Sequence, residues 1–465
     1  MSDFLFEEFN QVSAKQWKQK IQVDLKGVDY NETLLWKANE GIVVKPFYHQ
    51  DELQAIDVPQ LPTRFSICQS IFISDEQTAN FLAKDALQRG ATSIQFEANT
   101  PFDIYKLFDS LVIPANPPTS EAGVGIHFRL HFLSESFLSE LIEKTKELEI
   151  YLNIDIIGNL AKSGNWFDSR KEDFNMLENI LQKSPKNVHA LSIDASLYQN
   201  AGATNVQQVA YALAHANEYL NYFNRSNVTQ SAVEGSFQFN FSVGSNYFFE
   251  IAKLRAFRVL WKLLCDEYDI KITPHIFVQP SFRNKTLYDY NVNMLRTTTE
   301  CMSAVLGGSD TISNIAYDSI YHKKNEFGER IARNQLLILN EESYFNEAAQ
   351  FANGAYYIET LTSQIAEKAL IIFKDIEQSG GFLKQLPEGT IQRKIEESAQ
   401  KEQAQFDTGE EVLLGTNKHP NRNDTMKDDL ELYPFVKIKP RKTLIKPIIP
   451  KRLAEKLEQE RLEKE

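Results

Sequence analysis

The side chains best able to do chemistry lie at every second position of short β-like stretches. Glu97, His127 and Asp155 supply two carboxylates and an imidazole, the groups that general acid–base catalysis uses. Arg129 adds a permanent positive charge that can hold an anionic substrate or pair with a carboxylate. A fold that brought these four side chains together could transfer protons on a bound anion.

The stretches that carry these residues predict a barrel. Alternating polar and apolar residues predict strands at 93–99, 124–132, 150–157, 190–196, 236–244 and 272–281. Weaker strand patterns follow at 311–319 and 355–362, and segments such as 248–264 have apolar residues at helical spacing. Strands that alternate with helices about eight times predict an α/β protein, a (β/α)8 TIM barrel. An open doubly wound sheet is the competing fold, but no Gly-rich first turn supports it.

The polar face of these strands is predicted to line the barrel lumen, because the apolar face must cover the surrounding helices. The predicted lumen-filling network consists of Gln95, Glu97, His127, Arg129, Asn153, Asp155, Gln238 and Asn240. This network is either a site or a plug. Ordinary side chains already fill an eight-stranded barrel, so these long polar residues favour the plug, in which buried polar groups satisfy one another. We expect Arg129 to pair with Glu97 or Asp155.

Composition excludes several classes of partner. The chain has 465 residues, and 50 Lys and Arg against 63 Asp and Glu give a net charge of −13, which argues against nucleic acid or an anionic membrane as partner. Three widely spaced cysteines, Cys68, Cys265 and Cys301, predict neither disulfides nor a thiolate metal site. No histidine combination has metal-ligand spacing. Neither a signal peptide nor a membrane span is predicted, so we expect a cytoplasmic protein.

Three segments are predicted along the chain. Residues 1–60 form an aromatic N-terminal arm and linker, residues 61–415 form the barrel, and residues 416–465 form an extended Pro- and Lys-rich strap that ends in a charged helix. Charged residues at helical spacing predict that this last helix is solvated.

Several long stretches resemble the methylmalonyl-CoA mutases. YNVNMLRTTTECMSAVLGGSDTISNIAYDS at 290–319 is similar to that family's Y-N-N-x-x-R-T-x-x-E-A-M run. FGERIARNQLLILNEES at 327–343 resembles its R-I-A-R-N-x-Q-L-I-L-x-E-E, and NGAYYIETLTSQIAEKALIIFKDIEQSGGF at 353–382 resembles its Y-Y-V-E-x-L-T with the downstream E-x-x-G-G. With DLKGVDYNETLLWKANEGIVVKPFY near the start, the resemblance covers nearly the whole chain.

The resemblance implies a coenzyme-A-binding TIM barrel, followed in active mutases by a cobalamin domain. That domain carries D-x-H-x-x-G, which is absent from this sequence. Positions that match the family's catalytic residues fall on Leu197, Ser313 and Gln69, none of which moves a proton. The resemblance therefore implies the small (beta) subunit of a heterodimeric mutase. Such a chain is predicted to be inactive alone and to bind no cofactor itself, with adenosylcobalamin in the large (alpha) subunit.

Arm and strap are predicted, by the same resemblance, to wrap that partner. Candidate subunit contacts are Trp17, Trp36, Arg330, Arg333 and Asn334. Two other functions stay open. The first is a self-sufficient, cobalamin-independent barrel enzyme that uses Glu97, Asp155 and His127. The second is an accessory protein that binds an acyl-CoA.

Overall fold

A computed structural model describes residues 9–53, 56–111, 125–226, 228–348, 350–437 and 440–465. Parts of the predicted arm and the first residue of the strand predicted at 124–132 lie outside the described residues. Within them, no helix is long and apolar enough to cross a membrane.

Eight parallel strands close into a barrel in the order β10-β3-β4-β5-β6-β7-β8-β9, so the predicted (β/α)8 barrel is confirmed. A separate antiparallel hairpin of β1 and β2 precedes the barrel. The strand bounds are β1 Trp36–Lys37, β2 Val43–Val44, β3 Ser66–Phe72, β4 Ser93–Ala98, β5 Gly125–Leu130, β6 Glu149–Ile154, β7 Val188–Asp194, β8 Phe237–Val243, β9 His275–Pro280 and β10 Thr311–Ile312.

Helices surround the barrel and extend beyond it. Their bounds are α1 Ala14–Asp24, α2 Tyr30–Leu34, α3 Glu76–Gln88, α4 Ile104–Leu107, α5 Glu135–Lys144, α6 Ile156–Ser163, α7 Arg170–Lys183, α8 Ser196–Asn200, α9 Asn205–Phe223, α10 Gln230–Glu234, α11 Tyr247–Glu267, α12 Val292–Leu306, α13 Glu326–Leu337, α14 Phe345–Ala348, α15 Tyr356–Gln378, α16 Phe382–Gln385, α17 Thr390–Thr408 and α18 Glu455–Leu462. A 3₁₀ turn covers Gln50–Glu52 and a π-helical turn covers Ile338–Glu342.

The apolar faces of the strands pack against the helices. Phe96, Phe128 and Phe239 are fully buried in one large core, and Phe239 lies against Trp261 of α11 with ring centroids 4.7 Å apart. This orientation leaves the alternate, polar positions for the lumen. The weak strand predicted at 355–362 is wrong, because these residues begin α15, whose buried Ile358, Leu361 and Ile365 follow helical spacing.

The barrel closes at its shortest strand. Thr311 and Ile312 of β10 pair with Ser66 and Ile67 of β3 on one side, and with Phe277 and Val278 of β9 on the other. Two residues therefore join the first and last long strands of the barrel.

Strand β6 is irregular at Asn153. This residue has a φ of +51°, and the pairing with β7 shifts register between Tyr151 and Ile154. The shift marks a bulge with one extra residue on β6, while Leu152 and Ile154 on either side of Asn153 both stay in the main core. The strand ends at Ile154, and Asp155 caps α6.

The strap packs on this chain's own barrel. The amides of Leu444 and Ile445 donate to the carbonyl of Gly164, and the Ile448 amide donates to Ala161. Ile445 and Ile448 are buried in the main core. The expectation that the strap wraps a partner is therefore corrected for Ile445 and Ile448, since their apolar side chains are buried within the chain.

The charged helix α18 is docked, so the expectation of a solvated helix is wrong. Glu458 is fully buried; it accepts from the Leu287 amide at 2.7 Å and pairs with the buried Arg452 at 2.6 Å. Leu453 and Ala454 join a small apolar cluster with Phe406. The spacing of oppositely charged residues in the sequence did not indicate that one face of this helix is buried. The division of the chain at residues 60 and 415 stays a prediction.

Replacing Gly164 with alanine should detach the strap. Gly164 ends α6 with a φ of +80°, and a Cβ there would lie 2.8 Å from the Ile445 carbonyl oxygen. Gly409→Ala is a matched control, because Gly409 ends α17 with a φ of +81° and has open space around it. Both variants should lose about 1–2 kcal/mol from the left-handed backbone. Only Gly164→Ala should also speed tryptic cleavage after Lys442 about tenfold, and equal cleavage in the two variants would contradict the contact.

Candidate functional site

Aromatic rings fill the lower lumen of the barrel. The ring of Tyr151 stacks on His127 at 4.4 Å and lies 4.3 Å from His275, while Phe277 lies 5.0 Å from His127. His189 stacks on the other face of Tyr151, also at 4.4 Å. The four strands that contribute these rings, β5, β6, β7 and β9, meet across the axis, so the rings obstruct it.

Burial keeps the two inner imidazoles neutral. Burial, together with the neighbouring His275 and His189, holds the pKa of His127 well below its usual value. The pKa of His275 falls to about 3, because burial and the nearby charges of His189 and Arg258 disfavour the imidazolium. Neither ring can therefore act as a general acid near neutral pH.

A chain of amides lies above the rings. His127 donates from Nδ1 to Gln238 at 3.0 Å, and the Gln238 amide donates to Asn153 at 2.6 Å and to Asn240 at 2.5 Å. Asn240 also donates to Asn153 at 3.3 Å. Gln95 on β4, the strand next to β5, accepts a hydrogen bond from Ser70 at 3.4 Å. Direct side-chain hydrogen bonds thus join β5, β6 and β8 across the lumen.

Charged groups lie higher, at the carboxyl ends of the strands. Glu97 accepts from His131 at 2.8 Å, and Arg129 pairs with Asp194 at 3.6 Å. The expected partners of Arg129 are thus corrected, since its ion pair is with neither Glu97 nor Asp155. Burial raises the pKa of Glu97, but the hydrogen bond from His131 and the charge of Arg129 outweigh this and lower the pKa to about 2. Glu97 is consequently an ionised carboxylate, not a proton donor.

Asp155 lies at the rim of the mouth cavity, and its carboxylate bonds to α6, α9 and β7, which corrects its predicted place among the lumen amides. One oxygen accepts from His215 and Tyr219 of α9 and from the Gly158 amide, at 2.9, 2.9 and 2.7 Å, and the other accepts from the Asp194 amide at 2.8 Å. Burial raises the pKa of Asp155, yet His215 and the hydrogen bonds outweigh it and leave the pKa lowered. The strand ends at Ile154, so Asp155 lies on the turn into α6 and not on a strand face.

The three candidate acid–base residues, Glu97, His127 and Asp155, therefore lie in different surroundings. His127 lies in the ring stack, Glu97 at the mouth, and Asp155 among the helices, and each is occupied by different partners. Within the described residues no group of histidines, cysteines and carboxylates could hold a metal ion.

The positions matched to the family's catalytic residues carry no proton-transfer chemistry. Leu197 is buried in the main core, and Ser313 follows β10 with a fully buried hydroxyl that has no hydrogen-bond partner. Gln69 pairs in register with Ile94, which faces the helices, so Gln69 faces them too and accepts from Arg333 at 2.8 Å. Cys68 and Ser70 occupy the lumen face of β3, so Gln69 offers no side chain to the barrel lumen.

A small cavity remains at the mouth of the barrel. It has a volume of about 100 Å³ and is lined by groups such as Arg129, Asn153, Asp194 and Asn240. Pockets for small-molecule ligands usually measure about 300–1,000 Å³. The cavity can hold a few water molecules but not an extended thioester chain.

The candidate subunit contacts differ in exposure. Trp17 and Trp36 are about half exposed, at 48% and 51%, and Asn334 is exposed. Arg330 is partly exposed and lies over the Phe327 ring. Arg333 is buried against Gln69, so its selection as a partner contact is corrected: its guanidinium bonds within the chain.

Sequence reasoning missed the residues that hold Asp155. His215 and Tyr219 are four positions apart on α9 and therefore share one face of that helix, which was a usable signal. The contribution of Tyr151 to the ring stack also follows from its place two residues before Asn153 on β6.

Fold and site together define a (β/α)8 barrel whose lumen is filled by its own side chains. The model of the family described as methylmalonyl-CoA mutase matches residues 137–457. The small subunit of methylmalonyl-CoA mutase from Porphyromonas gingivalis is 31% identical over 457 residues, which cover 92% of this chain and 73% of that relative. The chain belongs to the methylmalonyl-CoA mutase family.

Two further relatives have similar coverage. Methylmalonyl-CoA mutase from Cereibacter sphaeroides is 28% identical over 87% of this chain and 64% of its own length. The methylmalonyl-CoA mutase large subunit from Streptomyces virginiae is 26% identical over 90% of this chain and 64% of its own length. The chain thus spans somewhat less than two thirds of these two relatives.

Proposed function

We propose that this chain is the non-catalytic small subunit of a heterodimeric, adenosylcobalamin-dependent methylmalonyl-CoA mutase. In this proposal the large subunit interconverts (R)-methylmalonyl-CoA and succinyl-CoA, and this chain stabilises it. The observation that carries the proposal is the filled lumen. The ring stack of His127, Tyr151, His275 and Phe277 occupies the axis that a substrate chain would have to enter.

The states of the acid and base groups support the same role. Glu97 stays ionised, His127 stays neutral and buried, and the oxygens of Asp155 already accept four hydrogen bonds. General acid–base catalysis needs a group whose pKa lies near the working pH and which reaches the substrate. None of these three side chains meets both conditions, so no observation favours the self-sufficient enzyme. The mouth cavity of about 100 Å³ likewise gives no support to an acyl-CoA carrier.

Adenosylcobalamin belongs to the partner in this proposal. Bound there, the cofactor would supply the radical chemistry of the rearrangement. The described residues of this chain do not fit it: seven of the eight histidines already contact a group within the chain, and the eighth, His419, lies on an exposed loop. A cytoplasmic location is part of the proposal and is supported by three buried, free cysteines.

The test compares this chain alone, a large mutase subunit alone, and the two together, each with adenosylcobalamin and (R)-methylmalonyl-CoA. We expect no succinyl-CoA from this chain alone, and a longer half-life of activity for the large subunit when this chain is present. Turnover by the lone chain would overturn the proposal.

A matched pair of variants tests the subunit contact. Trp17→Ser removes a half-exposed ring, and Phe81→Ser removes an exposed ring on α3 that is not a candidate contact. Large aromatic side chains dominate many interfaces, so Trp17→Ser should weaken association with the large subunit at least tenfold. Phe81→Ser should leave it unchanged. Equal effects of the two changes would count against the predicted contact.

A further inference from the structure

A second, much larger cavity lies between the N-terminal segment and α15. It has a volume of about 880 Å³, within the usual range for small-molecule sites. One wall is the outer face of α15, with Gln364, Lys368 and Ile371, and the other comes from α1, α2, the hairpin and the 3₁₀ turn. The cavity shares no lining residue with the mouth of the barrel.

Positive charge in this cavity is only partly compensated. Lys45 pairs with Glu52 at 2.9 Å, and the ammonium of Lys18 lies over the Tyr30 ring at 4.8 Å. Lys15, Lys18 and Lys368 line the cavity, and in the described part of the chain none of them forms an ion pair with a carboxylate. Lys368 is partly buried, and its ammonium lies beside the hairpin turn at Gly41. The lining also carries the carboxylates of Asp51, Glu52 and Glu367, so its four lysines leave a net charge of +1, which favours an anion.

The lining also has an apolar part, formed by Leu35, Ile42, Val43, Phe47 and Ile371, beside neutral polar groups such as Ser13, Asn31 and Gln364. Ile371 is 60% exposed and Val43 is 41% exposed, although both lie on regular elements beside buried neighbours. Covering such side chains releases water and is favourable. The lining therefore matches a molecule with an apolar body and an anionic end.

We propose that this cavity binds a small amphipathic anion, an apolar chain that ends in a carboxylate or a phosphate. The chain would lie on Ile42, Val43 and Ile371, and the anionic end would contact Lys18 and Lys368. The proposal goes beyond the subunit role and does not depend on it, because the two sites use different residues.

The experiment measures binding to the full chain by calorimetry and by the shift in unfolding temperature. The probes are octanoate, octyl phosphate, octanol and inorganic phosphate. Octanoate or octyl phosphate should bind at least tenfold more tightly than either octanol, which lacks the charge, or inorganic phosphate, which lacks the chain. Tighter binding of octanoate than of octyl phosphate assigns a carboxylate, and the reverse order assigns a phosphate.

Three variants locate the binding. The double variant Lys18→Gln, Lys368→Gln should raise the Kd of the preferred probe about tenfold, and Ile371→Glu should abolish binding without unfolding the chain, because Ile371 is exposed. Lys171→Gln on α7 removes the same charge outside the cavity and should change nothing. Absence of binding by both charged probes, or equal loss in Lys171→Gln, would overturn the proposal. Loss of association with a large mutase subunit in the double variant, without probe binding to the parent chain, would also overturn it in favour of a polypeptide occupant.

Discussion

Asp155→Ala should lower the free energy of unfolding by about 3–5 kcal/mol, the range for breaking a buried, hydrogen-bonded charge. Its side chain is only 7% exposed, and it joins α9, the first turn of α6 and the end of β7 through four hydrogen bonds. Removal would leave the Asp194 amide and the Tyr219 hydroxyl without their acceptor. Urea unfolding at pH 7 measures the loss.

Asp375→Ala is the matched control, because Asp375 is an exposed carboxylate on α15. Exposed substitutions usually change stability by less than about 0.5 kcal/mol. Asp155→Asn should lie between the two, since it keeps the shape of the side chain but loses the charge. If Asp155→Ala unfolded at the same urea concentration as the parent chain, the role of Asp155 as a structural junction would be refuted.

The chain should lose stability as the pH falls from 7 to 5.5, largely through the lumen histidines. The pKa of His275 is about 3 in the folded chain and that of His127 is also depressed, whereas an unfolded histidine titrates near 6.5. Below about pH 6.5 these histidines are protonated in the unfolded chain but stay neutral in the folded chain. Their neutral rings therefore stabilise the fold above about pH 6.5, and this stabilisation is lost as the pH falls below that value. Each ring should cost about 1 kcal/mol over this interval.

His275→Gln isolates this effect, since glutamine can keep a hydrogen bond to Thr311, whose hydroxyl lies 3.1 Å from Nε2 of His275, but takes up no proton. The fall in unfolding free energy between pH 7 and 5.5 should be smaller in this variant by up to about 1 kcal/mol. An unchanged slope in His275→Gln would show that the ring is protonated in the fold.

The barrel could be predicted from the sequence because its signal is local and repeated. Polar and apolar residues alternate in segments such as 93–99 and 236–244, so each strand has one polar and one apolar face. The helices between the strands pack on the apolar face. Burial of Phe96 and Phe239 and the amide contacts of Gln238 follow from the same rule. The ring stack in the lower lumen was harder to predict, because Tyr151 and His275 are far apart in the sequence and belong to no recognisable motif.

The remaining features of the site could not be predicted from the alternation of polar and apolar residues. Strand β6 ends at Ile154, so Asp155 caps α6 instead of continuing the alternation, and the pattern carries no mark of that end. The partner of Arg129 is Asp194, two strands away around the barrel, so only the closed geometry selects it. The burial of Glu458 depends on Arg452 and the Leu287 amide, which lie on different parts of the chain. Residues 355–362 read as a strand because Tyr-Tyr-Ile favours strands, but packing against α9 and α11 decides for a helix.

The two-residue strand β10 has a consequence for how the barrel comes together. Within the part of the chain that the structure describes, the strand pairing between β9 and β3 runs through Thr311 and Ile312, so most of the sheet can pair before its two margins meet. Long-range pairing of this kind must overcome chain entropy before it gains contacts, which places the seam late in folding. Because few hydrogen bonds hold this seam, the folded barrel should open there first. The amide of Ile312 should therefore exchange its hydrogen with solvent faster than the amide of Phe96.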